Sequence, residues 1–475
     1  VERDHARIVQ RAIEVRGIRS KVSHIPIPVP FSAAFEGERV RKADMHVQFG
    51  GKYSPAFEYL RCRAAAEVTD GAVTVHGPEI DAMAEGEIVF PQEPILRVHG
   101  GLVEAQLVEG LILNTINFQS LIATKATRLV RAAAGSQIME FGLRRAQGAN
   151  GAMAASRAAY IGGASSTSNA LAARLYGIQA SGTMAHSWIM TFPSELAAFQ
   201  AYAQQYPDSS VFLIDTYDTL ASGIKNAITV GRGLAARGKR FGVRLDSGDM
   251  DYLSRRVRQE LDQAGLHDAY IVASNELEEE IIETLSASKA PIDVWGVGTR
   301  LVTGGSDSSF TGVYKLAQID RRVGERFESV PVMKFSENPE KSTNPGVKDS
   351  WRLYDDDGCA VADVISQAED TLTRGQTRDL YHPYLDTRRF SFSLSREPRR
   401  LLSKVMENGR LVGPEQGAKD ILAAARAHRE QSLAELDPSY LRILNPHRYR
   451  VALSDGMRNL KLGFSEILRK EHPGA

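Results

Sequence analysis

The stretch that decides the fold is VFLIDTYDTLASGIKNAITVGRGLAARGKRFGVRLDSGD, residues 211–249. It begins with an apolar run typical of a strand, continues with apolar residues at helical spacing, and ends in a second apolar strand. A strand–helix–strand succession requires parallel strands joined by a right-handed crossover. The stretch therefore predicts one β/α unit, with aspartates following both strands.

The same alternation continues on both sides, over residues 104–319. Further strands are predicted in QIMEFGL, ASGTMAHSW, AYIVASN and IDVWGVGT, with helices such as DYLSRRVRQELDQAG between them. Gly177, Gly238 and Gly265 stand where these helices are expected to end. So long a series of units fits a closed β/α barrel better than a two-layer open sheet, which remains the alternative.

Outside these residues the alternation stops. Residues 321–400 contain short strand-like runs such as PVMKFS and SWRLYD, and the chain from residue 417 onward is helical in pattern. Both chain ends are therefore predicted to form an α+β layer beside the barrel. The predicted boundaries are 1–103 for the N-terminal part of this layer, 104–319 for the barrel, and 320–475 for the C-terminal part with its helical tail.

Composition excludes several classes of protein. The 475 residues include 58 Lys+Arg and 58 Asp+Glu, and this zero net charge argues against a nucleic-acid-binding protein. Two cysteines cannot form a disulfide framework or a cysteine-rich zinc site. The first residues are too charged for a signal peptide, and the apolar stretch 102–123 is interrupted by Glu104 and Glu109, so no membrane span is expected. We expect a cytoplasmic enzyme.

The residues that end or follow the predicted strands, where a β/α barrel binds its ligands, are mostly polar. In chain order they are Phe141, Arg144, Arg145, Thr183, His186, Asp215, Asp218, Arg244, Asp246, Asp249, Ser274, Asn275, Gly296, Gly298 and Thr299. Cations, carboxylates, one imidazole and a glycine-rich turn together suit a phosphorylated, metal-bound anion.

Single members of this set have alternative interpretations. Arg244 and Asp246 are two apart on a strand and share a face, so they can bind a sugar phosphate and Mg²⁺, or form a structural ion pair at the barrel rim. The GVGT turn can approach a phosphate or be a simple tight turn. His186 can be catalytic, oriented by Asp215, or structural. The residues alone predict a barrel enzyme for a phosphorylated ligand with Mg²⁺, its reaction undetermined.

Taken together and in order, several segments resemble the nicotinate phosphoribosyltransferase family. These segments are EFGLRRAQG (140–148), ASGTMAHSW (180–188), LIDTYDT (213–219), GVRLDSGD (242–249), ASNE (273–276), IDVWGVGT (292–299) and GVYKL (312–316). The resemblance implies an α/β fold in which an irregular β/α barrel packs against an α+β sandwich domain formed by both chain ends. It also implies a homodimer with active sites at the subunit boundary.

The implied reaction joins nicotinate to 5-phosphoribosyl 1-diphosphate, giving nicotinate mononucleotide and diphosphate in NAD salvage. The resemblance couples it to ATP hydrolysis, with ATP as co-substrate and Mg²⁺ as cofactor. His186 matches the family's phosphorylated histidine, and Asp215 would favour its reactive tautomer. The other implied roles are nicotinate binding by Thr183 and Arg244, ring stacking by Phe141, anion binding by Arg144, ribose and Mg²⁺ contacts by Asp246 with Asp215, further substrate contacts by Ser274 and Asn275, and 5′-phosphate binding by Gly296, Gly298 and Thr299.

Two further segments bear on specificity. The related nicotinamide enzyme places an aspartate near the ring substituent, but the corresponding segment here, GGASSTSNALA (162–172), contains no carboxylate, which favours the acid. The family's TDLYxLTM-like opening helix, whose tyrosine covers the ring, has no counterpart in residues 1–52. The alternatives are a nicotinamide phosphoribosyltransferase and an inactive paralogue serving as ligand sensor or scaffold.

Overall fold

The chain folds around a central sheet of parallel strands. The computed structural model describes residues 40–49, 65–69, 72–76, 78–336, 338–385, 387–413 and 416–471. Numbered in chain order, the strands of the central sheet are β6 (Gln137–Glu140), β7 (Ser166–Thr167), β8 (Gln179–Ala180), β9 (Val211–Leu213), β10 (Gly242–Leu245), β11 (Tyr270–Ser274) and β12 (Val294–Val297).

The strand order shows a barrel that is open on one side. The sheet runs β8-β7-β6-β12-β11-β10-β9, and its neighbouring pairs are parallel. Following the strands in chain order therefore leads once around a circle that closes between β12 and β6. Within the described residues no ladder joins β8 to β9. The predicted irregular β/α barrel is confirmed in this half-open form.

Helices connect the strands and cover the outer face of the sheet. They are α1 (Leu102–Leu107), α2 (Glu109–Ala132), α3 (Gly148–Ile161), α4 (Ala170–Tyr176), α5 (His186–Met190), α6 (Glu195–Gln205), α7 (Ile224–Ala235), α8 (Met250–Gln263), α9 (Glu279–Ala287) and α10 (Thr299–Val302). In α8 the carboxylate of Asp249 accepts the N–H of Tyr252 at 3.1 Å, which caps the first turn. Val257 and Leu261 of α8 are buried in the core, where each side chain of this size contributes ~1.5–3 kcal/mol.

Along each strand, side chains point alternately into the outer core and into the barrel interior. In β10, Val243 and Leu245 pack in the outer core, so Arg244 faces inward. The interior contains an apolar layer of valines from three strands, Val211, Val272 and Val294. Two residues after Val272 and Val294 on the same faces come Ser274 and Gly296. The interior therefore becomes polar at the carboxyl ends of the strands.

Strands from both chain ends form a second sheet, as predicted. Its members are β1 (Val40–Phe49), β4 (Glu79–Met83), β5 (Pro94–Gly100), β13 (Gly312–Val323), β14 (Arg326–Pro331), β20 (Leu402–Glu407) and β21 (Arg410–Leu411). Its order is β14-β13-β1-β5-β4-β20-β21, so N-terminal β1 pairs on one side with β13 and on the other with β5.

A third sheet is built from the C-terminal part of the chain. It contains β15 (Lys348–Tyr354), β16 (Ala360–Gln367), β17 (Thr377–Tyr381), β18 (Arg389–Ser393), β19 (Arg399–Arg400) and β22 (Arg450–Leu453). A separate hairpin joins β2 (Ala65–Thr69) to β3 (Ala72–His76), and the last helices are α11 (Ala418–Ala434) and α12 (Asp455–Glu471). The described helices include none long and apolar enough to cross a membrane.

Buried ion pairs join residues 87–93 to the C-terminal sheet. The fully buried guanidinium of Arg352 donates from Nη1 to Glu87 Oε1 at 2.6 Å and from Nη2 to Asp363 Oδ2 at 2.7 Å. Burial alone would raise the pKa of Glu87, but the Arg352 charge holds it well below its usual range. Burial and the nearby Asp363 instead raise the pKa of Glu93 well above its usual range. Removing one partner of such a buried pair costs ~3–5 kcal/mol.

Two elements differ from the sequence prediction. The strand predicted over ASGTMAHSW is only β8, two residues long, and His186 begins helix α5. Ala185 at its N-cap offers no side-chain acceptor, so the usual sequence signal for a helix start is missing. Helix α3 and strand β7 were not predicted. The predicted helix-ending glycines are confirmed, since Gly177, Gly238 and Gly265 have φ of +71°, +70° and +74°.

Candidate active site

Arg244 holds together the polar layer at the carboxyl ends of the strands. Its Nε donates to Ser274 Oγ at 2.8 Å, Nη1 to Thr183 Oγ1 at 2.6 Å and Nη2 to Asp246 Oδ1 at 2.7 Å. The side chain of Arg244 is buried at this rim, and the Ser274 hydroxyl also contacts Asp246 Oδ1. Three residues predicted from separate strand ends therefore converge on one guanidinium.

Phe141 forms an aromatic wall beside this guanidinium. The Arg244 Cζ atom lies 5.6 Å from the centre of the Phe141 ring. A Cβ atom at Gly296 would lie 2.8 Å from Phe141 Cδ2 and Cε2, closer than van der Waals contact allows. Gly296 therefore gives space to the Phe141 ring, a role that the predicted phosphate contact did not include.

His186 and Asp215 meet across the open side of the barrel. His186 begins α5 after β8, Asp215 follows β9, and Nε2 of the imidazole lies 3.2 Å from Asp215 Oδ1. The His186 side chain is 41 % exposed, whereas that of Asp215 is 2 % exposed. Asp215 is fixed on its other oxygen, because Oδ2 accepts the N–H of Asp246 at 3.2 Å and the hydroxyl of Ser247. Asp215 therefore lies where the prediction requires it, within hydrogen-bond distance of the His186 imidazole.

Asp215 and Asp246 are the residues available for Mg²⁺. Asp246 Oδ1 is occupied by Arg244 and Ser274, while Asp215 already accepts three hydrogen-bond contacts. Within the described residues no group of three or more His, Cys, Asp or Glu is arranged to hold a metal ion. Mg²⁺ commonly binds one or two carboxylates together with substrate phosphates and water. The donor set fits an ion that arrives with a phosphorylated substrate, chiefly at Asp246.

The remaining predicted residues follow other strands at the same end of the sheet. Asn275 follows β11 with φ of +85°, an uncommon backbone conformation for a residue other than glycine. Gly298 and Thr299 begin α10, and Arg144 is exposed in the one-turn helix Leu143–Arg145. Asp218 and Asp249, which also follow strands, instead cap the helical segments that come after them.

Three residues at this end of the barrel were missed in the sequence. Ser247 contacts Asp215, and its position beside Asp246 in RLDSGD was the available signal. Glu195 begins α6 and accepts the amide of Asn226 at 2.8 Å; burial raises the pKa of its carboxyl, and the Asp215 charge adds to this shift. Glu140 ends β6 with its side chain buried beneath α3. Nothing in the spacing of Glu140 or Glu195 distinguishes them from surface carboxylates.

Comparison with known proteins places the chain in a family. Residues 136–376 match the model described as "Nicotinate phosphoribosyltransferase (NAPRTase) family", and residues 347–461 match "Nicotinate phosphoribosyltransferase C-terminal domain". The chain belongs to the nicotinate phosphoribosyltransferase family. Residues 27–120 also match a model of the CO dehydrogenase/acetyl-CoA synthase complex beta subunit, a range that contains none of the strand-end residues above.

Individual members of the family are similar over most of the chain. Nicotinate phosphoribosyltransferase of Bacillus subtilis is 40 % identical over 375 residues, which cover 79 % of this chain and 74 % of that protein. The human protein of the same name is 33 % identical over 495 residues, covering 91 % and 86 %. The crystal structure of human nicotinic acid phosphoribosyltransferase superposes with a TM-score of 0.74 at 26 % identity, over 91 % of this chain and 97 % of that one.

Proposed function

We propose that the protein transfers the phosphoribosyl group of 5-phosphoribosyl 1-diphosphate to the ring nitrogen of nicotinate, releasing diphosphate. The observation that carries this proposal is the convergence of Thr183, Ser274 and Asp246 on Arg244 beside the Phe141 ring. An aromatic face next to a fixed guanidinium suits an aromatic acid. Family membership supports the same reaction, because the relatives carry its name.

Nicotinate would bind with its ring against Phe141 and its carboxylate at Arg244. A guanidinium has five N–H donors, and the contacts to Ser274, Thr183 and Asp246 use three of them. The remaining donors can meet a carboxylate in the paired geometry that arginine favours. Segment 162–172 brings no Asp or Glu to this place, so the acid meets no repelling charge from it.

Transfer of the phosphoribosyl group through C1 of the ribose would be promoted by fixed charges at the rim. As diphosphate leaves, C1 becomes cationic, and the lone pair of the nicotinate nitrogen forms the new bond. Asp246 would hold the ribose hydroxyls or Mg²⁺, with Asp215 as a second carboxylate, while the Thr299 hydroxyl and the Gly298 turn meet the 5′-phosphate. When bound, Mg²⁺ supplies positive charge that offsets the negative charge of the departing diphosphate.

ATP coupling would use His186. With its Nε2 proton directed at Asp215 Oδ1, 3.2 Å away, the neutral imidazole presents Nδ1 as the nucleophile. Nδ1 would attack the terminal phosphorus of ATP, forming an N–P bond as ADP leaves, and water would later cleave that bond. The 41 % exposure of the imidazole leaves room for ATP to approach.

A second copy of the chain would complete the site. Apolar side chains next to the two central residues are exposed, notably Met190 at 66 % on the helix that His186 begins and Tyr217 at 64 % just after Asp215. Burying such side chains against a partner subunit would exclude water from the reacting atoms. We therefore expect a homodimer in solution.

The experiment that tests the proposal is an activity panel. Purified protein is incubated with 5-phosphoribosyl 1-diphosphate and Mg²⁺, with and without ATP, and with nicotinate, nicotinamide or quinolinate in separate reactions. We expect nicotinate mononucleotide from nicotinate and no comparable turnover of the other two. Turnover of nicotinamide or quinolinate alone would refute the assignment. Ligand binding without product at any protein concentration would instead support the sensor alternative.

A further inference from the structure

Glu140 is a buried carboxylate beside the proposed substrate site but outside it. It is the last residue of β6 and is 1 % exposed. Ile138, two residues earlier, packs in the outer core, so Glu140 lies on the outer face of the strand and Phe141 on the inner face. The carboxylate therefore faces away from the space between the aromatic ring and Arg244.

Its two oxygens instead connect several elements around the strand end. Oε1 accepts the backbone N–H of Gly142, and Oε2 accepts the hydroxyls of Thr167 on β7 and of Ser156 on α3, the latter at 2.9 Å. Asn169 completes the network, with its N–H 3.0 Å from Thr167 Oγ1 and its side chain capping α4. Gly142 lies between Phe141 and the one-turn helix that carries Arg144.

The contacts explain why this position holds an acid. All its hydrogen-bond donors among the described residues are uncharged, so no ion pair accounts for the burial of a carboxylate. A carboxylate only accepts hydrogen bonds, and here it meets three donors at once. A glutamine would offer Gly142 one oxygen, but its NH2 group would make both hydroxyls accept instead of donate. A carboxylate serves the loop with Oε1 and both hydroxyls with Oε2.

We propose that Glu140 is a positioning residue of the active site, which fixes residues 141–145 by accepting the N–H of Gly142. The anchored loop holds the Phe141 ring over Gly296. There the ring lines the proposed substrate pocket next to Arg244. This inference rests on the proposed function, because a displaced Phe141 ring would weaken the binding of nicotinate. The carboxylate itself takes no part in bond making.

The test compares Glu140→Leu with Ser156→Ala as a control in the same network. Glu140→Leu removes the acceptor of the Gly142 N–H, whereas Ser156→Ala removes only a hydroxyl that contacts Glu140 Oε2. For Glu140→Leu we expect the KM for nicotinate to rise about tenfold or more, as the loss of one hydrogen bond to a charged group implies, with kcat less affected. For Ser156→Ala we expect a KM within about twofold of wild type, since the Gly142 contact remains.

Hydrogen exchange of the Gly142 amide supplies a readout independent of activity. We expect exchange to be faster in Glu140→Leu and unchanged in Ser156→Ala. If the wild-type protein turns over no nicotinate, the proposed function fails, while the exchange rates still decide the anchoring role. Unchanged exchange in Glu140→Leu, or an equal rise of KM in Ser156→Ala, would overturn the inference. If Glu140→Leu does not fold, Glu140→Asp, which shortens the reach to Gly142, is measured against the same expectations.

Discussion

Replacing Arg244 with lysine perturbs the centre of the site while keeping its charge. The guanidinium makes hydrogen bonds of 2.6 to 2.8 Å to Thr183, Ser274 and Asp246. An ammonium group is a point charge on a flexible stem and cannot reproduce this fork. The variant is therefore expected to lose the paired contact that we propose for the nicotinate carboxylate, while still attracting anions.

The size of the effect follows from that one lost contact. A hydrogen bond to a charged group contributes ~1.5–3 kcal/mol, which corresponds to a rise of about 10- to 150-fold in the KM for nicotinate. The KM for 5-phosphoribosyl 1-diphosphate should change much less. Steady-state kinetics with each substrate varied in turn measures both values.

Arg258→Lys is the matched control. Arg258 on α8 also makes several hydrogen bonds, including 2.6 Å to Ala269 O and 2.8 Å to Leu266 O, but it takes no part in the site. Its replacement should lower the midpoint of thermal unfolding and leave the KM for nicotinate unchanged. A nicotinate KM within about twofold of wild type in Arg244→Lys would refute the placement of the carboxylate.

Three further predictions concern other parts of the molecule. His186→Ala should abolish ATP hydrolysis and spare a slow transfer without ATP, measured by ADP and nucleotide release; a variant that still couples ATP would assign the phosphoryl group to another residue. Gly296→Ala should raise the KM for nicotinate, because its Cβ would lie 2.8 Å from the Phe141 ring; unchanged kinetics would show that the ring position is unimportant. Glu93→Gln should flatten the dependence of stability on pH. Since the folded pKa of Glu93 is raised, its proton stabilises the fold below the unfolded pKa of about 4.3, and this contribution is lost as pH rises toward the folded pKa. Thermal unfolding between pH 5 and 8 should therefore show a gain for the variant that grows with pH, and parallel profiles would contradict the assigned shift.

The sequence predicted which residues converge where their placement depends on strand periodicity. Arg244 and Asp246 lie two apart, so alternation alone puts both on the inner face. Ser274 ends an apolar strand, and parallel pairing brings it to the same rim. For His186 the order of the strands predicted the partner, Asp215, although the element that carries the imidazole is a helix and not the predicted strand.

What the sequence could not predict depends on contacts between neighbouring strands and helices. Gly296 accommodates the Phe141 ring because β12 pairs with β6. Barrel closure predicts that these two strands are neighbours, but the register that sets Gly296 beside Phe141 has no local signal. Glu140 lies on the opposite face of its strand from Phe141, under a helix that was itself missed. The open side between β8 and β9 likewise follows from the shortness of β8. The pattern of ASGTMAHSW predicts a longer strand and gives no sign of this.

The central claim is that these strand-end residues form one pocket for a pyridine nucleotide, and a crystal structure with nicotinate mononucleotide bound tests it most directly. We predict that the carboxylate lies within hydrogen-bond distance of Arg244 and Thr183, the ring against Phe141, and the 5′-phosphate at Gly298 and Thr299. A nucleotide bound elsewhere, or one bound here with its phosphate on Arg244, would contradict the account.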